Sequence, residues 1–253
     1  MPEFSIVIIT RDEERNILRC IESVKPLATE IVVVDSGSTD NTVELCKANG
    51  CRIFYRKFDS YGKQKQFAID QAINNWILSI DADEIVTDAL CDELQKFSVS
   101  SVASTTEGVK GFYIPFVLHF MGKVVRHSGA GRNLRLFDKS AGKFTLVPVH
   151  ETFAVNGTVS VMKGHIIHYS YRNISHHLEK LNFYTSLAAE GYNRRGKKYF
   201  KCWTAFKFPI TFFNHYFVRR GFLDGYQGFI WSFLAGVYTT LKVAKTIESY
   251  SEE

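Results

Sequence analysis

The sequence predicts an α/β fold, with a mostly parallel central sheet flanked by helices and a helical C-terminal region. Three observations carry that expectation. Short apolar runs recur at 5–10 (SIVIIT), 30–35 (EIVVVD), 52–55 and 76–80, separated by three amphipathic stretches. Runs that are apolar at consecutive positions suit strands buried on both faces, which is the situation in a parallel sheet with helices above and below. From 111 to 171 the chain changes to strand-like pieces without long helices, and beyond Ile174 it reads as helical.

In chain order, the first strand ends at Thr10 and is followed by the polar loop 11–15, and the second ends at Asp35. Ser38, Thr39 and Asp40 offer an N-cap for a helix at 42–48, and Gly50 lies where a helix C-cap needs a left-handed residue. The later strands are expected at 112–120, 134–137, 143–155 and 159–171, extending the sheet. Pro209 and Gly221 are the expected breaks in the helical region.

A chain of 253 residues with 45% hydrophobic content can bury a substantial core, which excludes the disordered and low-complexity classes. The apolar run before Arg11 is too short for a signal peptide, so a cytoplasmic location is expected. Cys20, Cys46, Cys51, Cys91 and Cys202 form no C-x-x-C pair and read as reduced, mostly buried thiols. The net charge of +5 is uneven: 175–220 holds nine Lys or Arg against two acids, hence +7, and leaves −2 for the remainder. Basic clusters suit nucleic acid, anionic lipid and phosphorylated substrates alike, so the sign alone selects no partner.

In a parallel sheet the ligand site lies beyond the carboxyl ends of the strands, which directs attention to 11–14, 35–40 and 81–84. Asp81-Ala82-Asp83 follows the fourth apolar run, and strand alternation would place both carboxylates on one side with Ala82 opposite. Such a pair can hold Mg2+ or Mn2+ through one or two carboxylates plus substrate phosphates. The alternative is a helix N-cap, since Thr87 and Asp88 open another helix. Asp35 lies within its strand, where its carboxylate can accept hydrogen bonds from a nucleobase or ribose while Gly37 lets the backbone pass close to the ligand. Capping explains Asp40 and leaves Asp35 unexplained.

Taken together, SIVIITRDEE, VVVDSGSTDNT and WILSIDADE resemble the family 2 glycosyltransferases of the GT-A fold, and within them the bacterial lipopolysaccharide-core β-1,4-glucosyltransferase-like branch. The resemblance implies that Asp35 contacts the nucleotide base, Glu13 the nucleoside, Asp81 the nucleotide sugar and Asp83 the metal. Thr10 and Lys65 join the nucleotide-sugar contacts, although Lys63 and Lys65 also read as surface charges. The branch has N-E where this chain has Asp12-Glu13. Residues 1–174 are then the GT-A catalytic domain, with 1–100 as the nucleotide-sugar half and 101–174 as the acceptor half.

Val149-His150-Glu151 resembles the V-H-E segment of that branch. An inverting transfer needs a base to take the acceptor proton as the hydroxyl attacks the anomeric carbon, and Glu151 is the candidate, against a plain surface acid. His150 is structural or acceptor-binding. Three-residue spacing in a strand puts His165 and His168 on opposite faces, so only one reaches the site. His168 matches a late histidine that helps hold metal or diphosphate in related enzymes, with a packed core histidine as the alternative. Arg132 and Arg135 could contact phosphates or be solvated.

Nine of the nineteen residues at 199–217 are aromatic and interleaved with Lys and Arg, a mixture suited to the headgroup boundary of a membrane. Self-packing of a helical subdomain is the alternative. No RNA-binding signature accompanies the aromatics, so nucleic acid is not expected as a partner. The stretch 222–241 carries only Asp224 as a charge, but its glycines favour a buried or interfacial helix over a spanning one. Residues 175–253 are therefore expected to be a membrane-associating region on an anionic surface, peripheral on the inner face of the cytoplasmic membrane.

The function expected is inverting transfer from a nucleotide sugar, a UDP-sugar, to a glycan or lipid-linked acceptor in cell-envelope polysaccharide or lipopolysaccharide synthesis. Two competitors stand beside it. A nucleotidyltransferase should show a glycine-rich basic loop where this chain has Arg11-Asp12-Glu13-Glu14-Arg15, and an inactive membrane-bound binding protein should have lost one of the acids.

Overall fold

A computed structural model of the chain describes residues 3–96, 108–145 and 152–251. The chain divides into two compact units, one of Met1–Phe116 with Gly131–His168 and one of Val117–Ala130 with Tyr169–Glu253.

The first unit is built on a mixed sheet. Its strands are β1 (Phe4–Thr10), β2 (Ala28–Asp35), β3 (Arg52–Tyr55), β4 (Trp76–Asp81), β5 (Glu84–Val86), β6 (Val109–Phe120, whose last four residues belong to the second unit), β8 (Gly131–Asp138), β11 (Thr158–Val161) and β12 (Ile166–His168). The order is β3-β2-β1-β4-β8-β6-β12-β5, with β11 on β6. The first four strands pair in parallel, while β8 runs antiparallel to both β4 and β6, and β12 antiparallel to β5. A small separate ladder joins β9 (Gly142–Phe144) to β10 (Phe153–Val155).

Helices α1 (Ile17–Val24), α2 (Thr42–Ala48), α3 (Tyr61–Asp70) and α4 (Asp88–Lys96) cover the sheet. Alternation along the strands divides the core. Ile6, Ile8, Val33, Leu78 and Ile80 join one apolar cluster, whereas Val7, Val32, Val34 and Ile77 join another, so both faces of the parallel part are buried, as its continuous apolar runs require.

Several expected elements are redrawn. The single strand expected at 143–155 is β9 and β10, and that expected at 159–171 is broken into β11 and β12. The N-cap of α2 falls on Asn41, with Asp40 Oδ1 accepting from Thr42 N at 3.0 Å, while Gly50 takes the expected left-handed conformation at φ +75°. The cysteines are free, but Cys202 is exposed, not buried.

In the second unit the end of β6 pairs with β7 (Lys123–Val125), and three helices follow: α5 (Ile174–Arg194), α6 (Cys202–Phe213) and α7 (Gly225–Ser251). Pro209 does not break α6. The N–H it lacks would have met the carbonyl of Ala205, which lies on an exposed face and can be solvated. The chain instead widens into a π-turn at Asn214–Val218 before the short 3₁₀ turn Gly221–Asp224. Asp224 is not a polar defect in an apolar helix: its buried carboxylate accepts the N–H groups of Arg126, His127 and Ser128 at 2.9, 3.1 and 3.0 Å, tying the β6–β7 hairpin to the start of α7. Phe120, Tyr171, His177 and Trp231 pack as an aromatic cluster beneath it. Among the described residues no helix is long and apolar enough to cross a membrane.

Candidate functional site

Parallel register brings the carboxyl ends of three strands together. Thr10 pairs with Asp35 across β1 and β2, and Ile9 pairs with Asp81 across β1 and β4. The loops after β1 and β2 are stitched to each other: Ser38 Oγ accepts from Asp12 N at 2.9 Å, Thr42 Oγ1 from Glu13 N at 2.8 Å, and Asp12 Oδ1 from Thr39 N at 2.7 Å. Asp12 does this at φ +53°, a left-handed conformation that Asn and Asp both tolerate. That shared tolerance explains why Asp can stand where the resembling branch has Asn. The Glu13 carboxylate accepts from Asn16 Nδ2 at 2.8 Å.

Asp35 is buried, and its carboxylate accepts from Gly37 N at 2.8 Å, Ser38 N at 3.0 Å and Ser38 Oγ at 2.5 Å. Gly37 permits this with φ +97°. Local turn formation therefore does account for Asp35 as well as for Asp40, contrary to expectation, and it uses three of about four acceptor positions on the carboxylate. Beside it, the buried Thr10 hydroxyl and the buried Gln64 Oε1 have no hydrogen-bond partner among the described residues. Thr10 pairs with Asp35 in register and Gln64 Nε2 donates to Ser36 Oγ at 3.0 Å, so both orphaned atoms belong to residues around the end of β2 and leave hydrogen-bonding capacity there.

The acidic motif does not behave as one pair. Ala82 is buried as alternation requires, but the chain turns at 82–83 and sends the two carboxylates to different partners. Asp81 lies between Lys65, at 3.1 Å from α3, and Arg135, at 2.7 Å from β8. Asp83 instead meets His168 at 3.2 Å from β12. Glu84, which opens β5, is buried; it accepts from Asp81 N at 2.9 Å and lies 2.5 Å from Arg135.

These contacts set the charge states. Burial opposes ionisation of Asp81, yet Arg135 and Lys65 hold its carboxyl well below the usual range. Burial and the neighbouring Asp81 push Glu84 up, with Arg135 opposing them. Burial would lower His168, but Asp83 outweighs it and raises the imidazole to about 9, so at neutral pH it is a cation paired with Asp83.

Lys65 and Arg135 are thus not solvated charges; both are buried and aimed at Asp81. Lys63 does remain at the surface, paired with Asp59, and Arg132 is exposed over the Tyr113 ring. The His165 carbonyl accepts from Thr87 N at 3.3 Å and Thr87 Oγ1 at 2.7 Å. Glu151 and His150 lie outside the described residues. Sequence reasoning placed Glu84 only within 81–84 and Arg135 only as a phosphate contact or a solvated charge, and did not give their pairing around Asp81. The available signal was an arginine inside the apolar run Leu134-Arg135-Leu136-Phe137, because a buried guanidinium requires acids around it.

Among the described residues no group of three or more His, Cys, Asp or Glu is arranged as a metal cage. Asp83 with His168 nevertheless fits the smaller donor set that Mg2+ or Mn2+ takes when substrate phosphates complete its shell, since one oxygen and one nitrogen lie 3.2 Å apart.

The family model for glycosyl transferase family 2 matches residues 5–103. An uncharacterized glycosyltransferase of Rickettsia typhi is 31% identical over 259 residues, covering 98% of this chain and 88% of its own. The lipopolysaccharide core biosynthesis glycosyltransferase LpsC of Rhizobium meliloti is also 31% identical over 259 residues, covering 98% of this chain and 93% of its own. Among solved structures, glucosyl-3-phosphoglycerate synthase from Mycobacterium tuberculosis, in complex with Mn2+, UDP and glucosyl-3-phosphoglycerate, is 24% identical with a TM-score of 0.35. The match covers 47% of this chain and 44% of that one.

Proposed function

The chain belongs to the family 2 glycosyltransferases and has their GT-A fold, and we propose that it transfers a sugar with inversion from a UDP-sugar to a glycan or lipid-linked acceptor of the bacterial cell envelope. The observation that carries the donor reading is the division of Asp81 and Asp83 at the end of β4: one acid is locked ionised between two buried cations and the other is left beside His168. The name of the Rhizobium relative supports lipopolysaccharide core synthesis as the process.

In this reading Thr10, Glu13 and Asp35 bind the nucleoside, and Asp35 does so with its remaining acceptor position. Asp81 orients the sugar, and Lys65 and Arg135 hold Asp81 in one rotamer and one charge state. Asp83 and His168 are the residues that would hold Mg2+ or Mn2+, which when bound neutralises charge on the departing diphosphate. Coordination by His168 requires loss of the proton it shares with Asp83. Glu151 takes the acceptor proton. The basic and aromatic region 175–253 attaches the enzyme to an anionic membrane surface, on the cytoplasmic face, where a lipid-linked acceptor is presented.

A panel of nucleotide sugars, assayed for binding and slow hydrolysis with Mg2+ or Mn2+, tests the donor reading. Saturable binding of one UDP-sugar that is lost in Asp81→Asn supports it; indifference to every donor and metal would refute it.

A further inference from the structure

Resting on the reading that the second unit meets a membrane surface, we infer that it does so through two devices in its helical region. A three-cation cluster around Tyr192 holds the phosphate of an acidic phospholipid, and an apolar stripe on α6 enters the lipid.

The stripe follows from what α6 leaves unused. Phe208 and Phe212 pack against Phe233 and Phe229 of α7, with ring centroids 5.2 and 5.7 Å apart. Trp203, Phe206, Ile210, Phe213 and Phe217 recur at spacings of three and four and line another face, each 43–58% exposed. No residue of α6 is buried. The sequence has no acid from 191 to 223, while Lys197, Lys198 and Lys201 precede the stripe and Arg219 and Arg220 follow it. An apolar face bounded by cations at both ends, with Lys207 over the Trp203 ring at 5.3 Å as a further cation beside it, suits the interface of an anionic bilayer.

The cluster is more specific. Arg195 Cζ, Lys197 Nζ and Lys242 Nζ lie 5.3, 4.9 and 5.4 Å from the centroid of the Tyr192 ring. Among the described residues none of the three has an ion-pair partner. Ring attraction draws each cation in, but three like charges around one ring repel one another unless an anion joins them. A phosphate supplies oxygens for a guanidinium and two ammonium groups through charge-assisted hydrogen bonds.

The test compares four full-length proteins for co-sedimentation with vesicles of phosphatidylcholine alone or mixed with phosphatidylglycerol. They are the wild type, the cluster variant Arg195→Gln/Lys197→Gln/Lys242→Gln, the stripe variant Ile210→Ser/Phe213→Ser, and a control of equal charge loss, Lys25→Gln/Lys47→Gln/Lys163→Gln. The expected result is wild-type binding only to acidic vesicles, weakened at least tenfold in the cluster variant and less than threefold in the control. Raised salt should remove all binding by the stripe variant but only part of the wild type's.

Equal losses in the cluster variant and the control would reduce the cluster to diffuse charge, and equal binding to both vesicle types would overturn the acidic-lipid assignment. If inorganic phosphate raised the melting temperature of the wild type but not of the cluster variant, while vesicles bound both alike, the site would serve a free anion instead. Donor turnover with a soluble acceptor, measured on the same proteins, should be unchanged. A wild type that bound vesicles but turned over no donor would count against the transfer reading and leave the lipid site standing.

Discussion

At the end of β4, Lys65, Asp81, Asp83, Glu84, Arg135 and His168 are drawn together with each positive group beside a negative one, whereas on α6 large aromatic side chains stand exposed and the flanking Lys197, Lys198, Lys201, Arg219 and Arg220 have no ion-pair partner among the described residues. The difference is instructive. Charge withdrawn from water must be matched group for group, so the first region holds its side chains in defined positions and charge states, as suits chemistry. Apolar surface left in water, with unmatched charge around it, is incomplete by itself, as suits attachment.

The largest effect expected from breaking the first region is on rate. Asp83→Ala should lower transfer by about 10³-fold, through loss of charge stabilisation on the leaving diphosphate, in a protein that still folds but melts somewhat lower because His168 loses its ion-pair partner. Near-normal transfer by a folded Asp83→Ala protein would exclude a metal role for this residue.

Arg135 bears on stability as well. Arg135→Met removes the cation shared by Asp81 and Glu84 and should cost about 3 kcal/mol in denaturant unfolding, because the buried Glu84 loses its cation and the half-buried Asp81 is left with Lys65 alone. An unfolding midpoint within error of wild type would show that the cluster relaxes into water and is not the rigid element described above.

Glu151→Gln should retain donor affinity by calorimetry and lose transfer by about 10²-fold, since the amide keeps the shape but takes no proton. An unchanged turnover rate would move the search for the base to Glu84 or Asp138.

The second region has a titrating group of its own in His177, which burial, with help from His176 and Lys180, lowers to about 4. Between that value and the ordinary histidine value the unfolded chain binds the proton and the folded one does not, so stability is full above about 6.5 and falls as pH drops toward 4. His177→Phe, which keeps a ring against Tyr171 and Trp231, should flatten this loss by about 1–2 kcal/mol at pH 4.5. Parallel acid-unfolding curves for the two proteins would refute this assignment.

The smallest effect is expected at the turn after β2. Gly37→Ala places a side chain at φ +97° and should cost about 1 kcal/mol, measured by thermal melting, together with some donor affinity as the N–H groups leave Asp35. A melting temperature equal to wild type would show that the turn tolerates a side chain and does not hold Asp35.

The sequence by itself determined β1 to β4 and α2, because parallel strands buried on both faces leave continuous apolar runs and a helix end leaves a glycine, both readable over a few residues. It also brought Asp35, Asp81 and Asp83 into view, since they stand where such strands end, although the turn after β2 itself uses the Asp35 carboxylate. Tertiary structure decided the rest. β8 and β12 take their edges from partners at 76–78, 111–116 and 84–86, far away in sequence, so their local patterns mark no clear boundary. Likewise, Asp81 turns to Arg135 and Lys65 while Asp83 turns to His168, and the outward stripe of α6 exists only because α7 takes the adjacent face. Pairing energies of that kind act between residues that adjoin only in the folded chain, and no local window of sequence contains them.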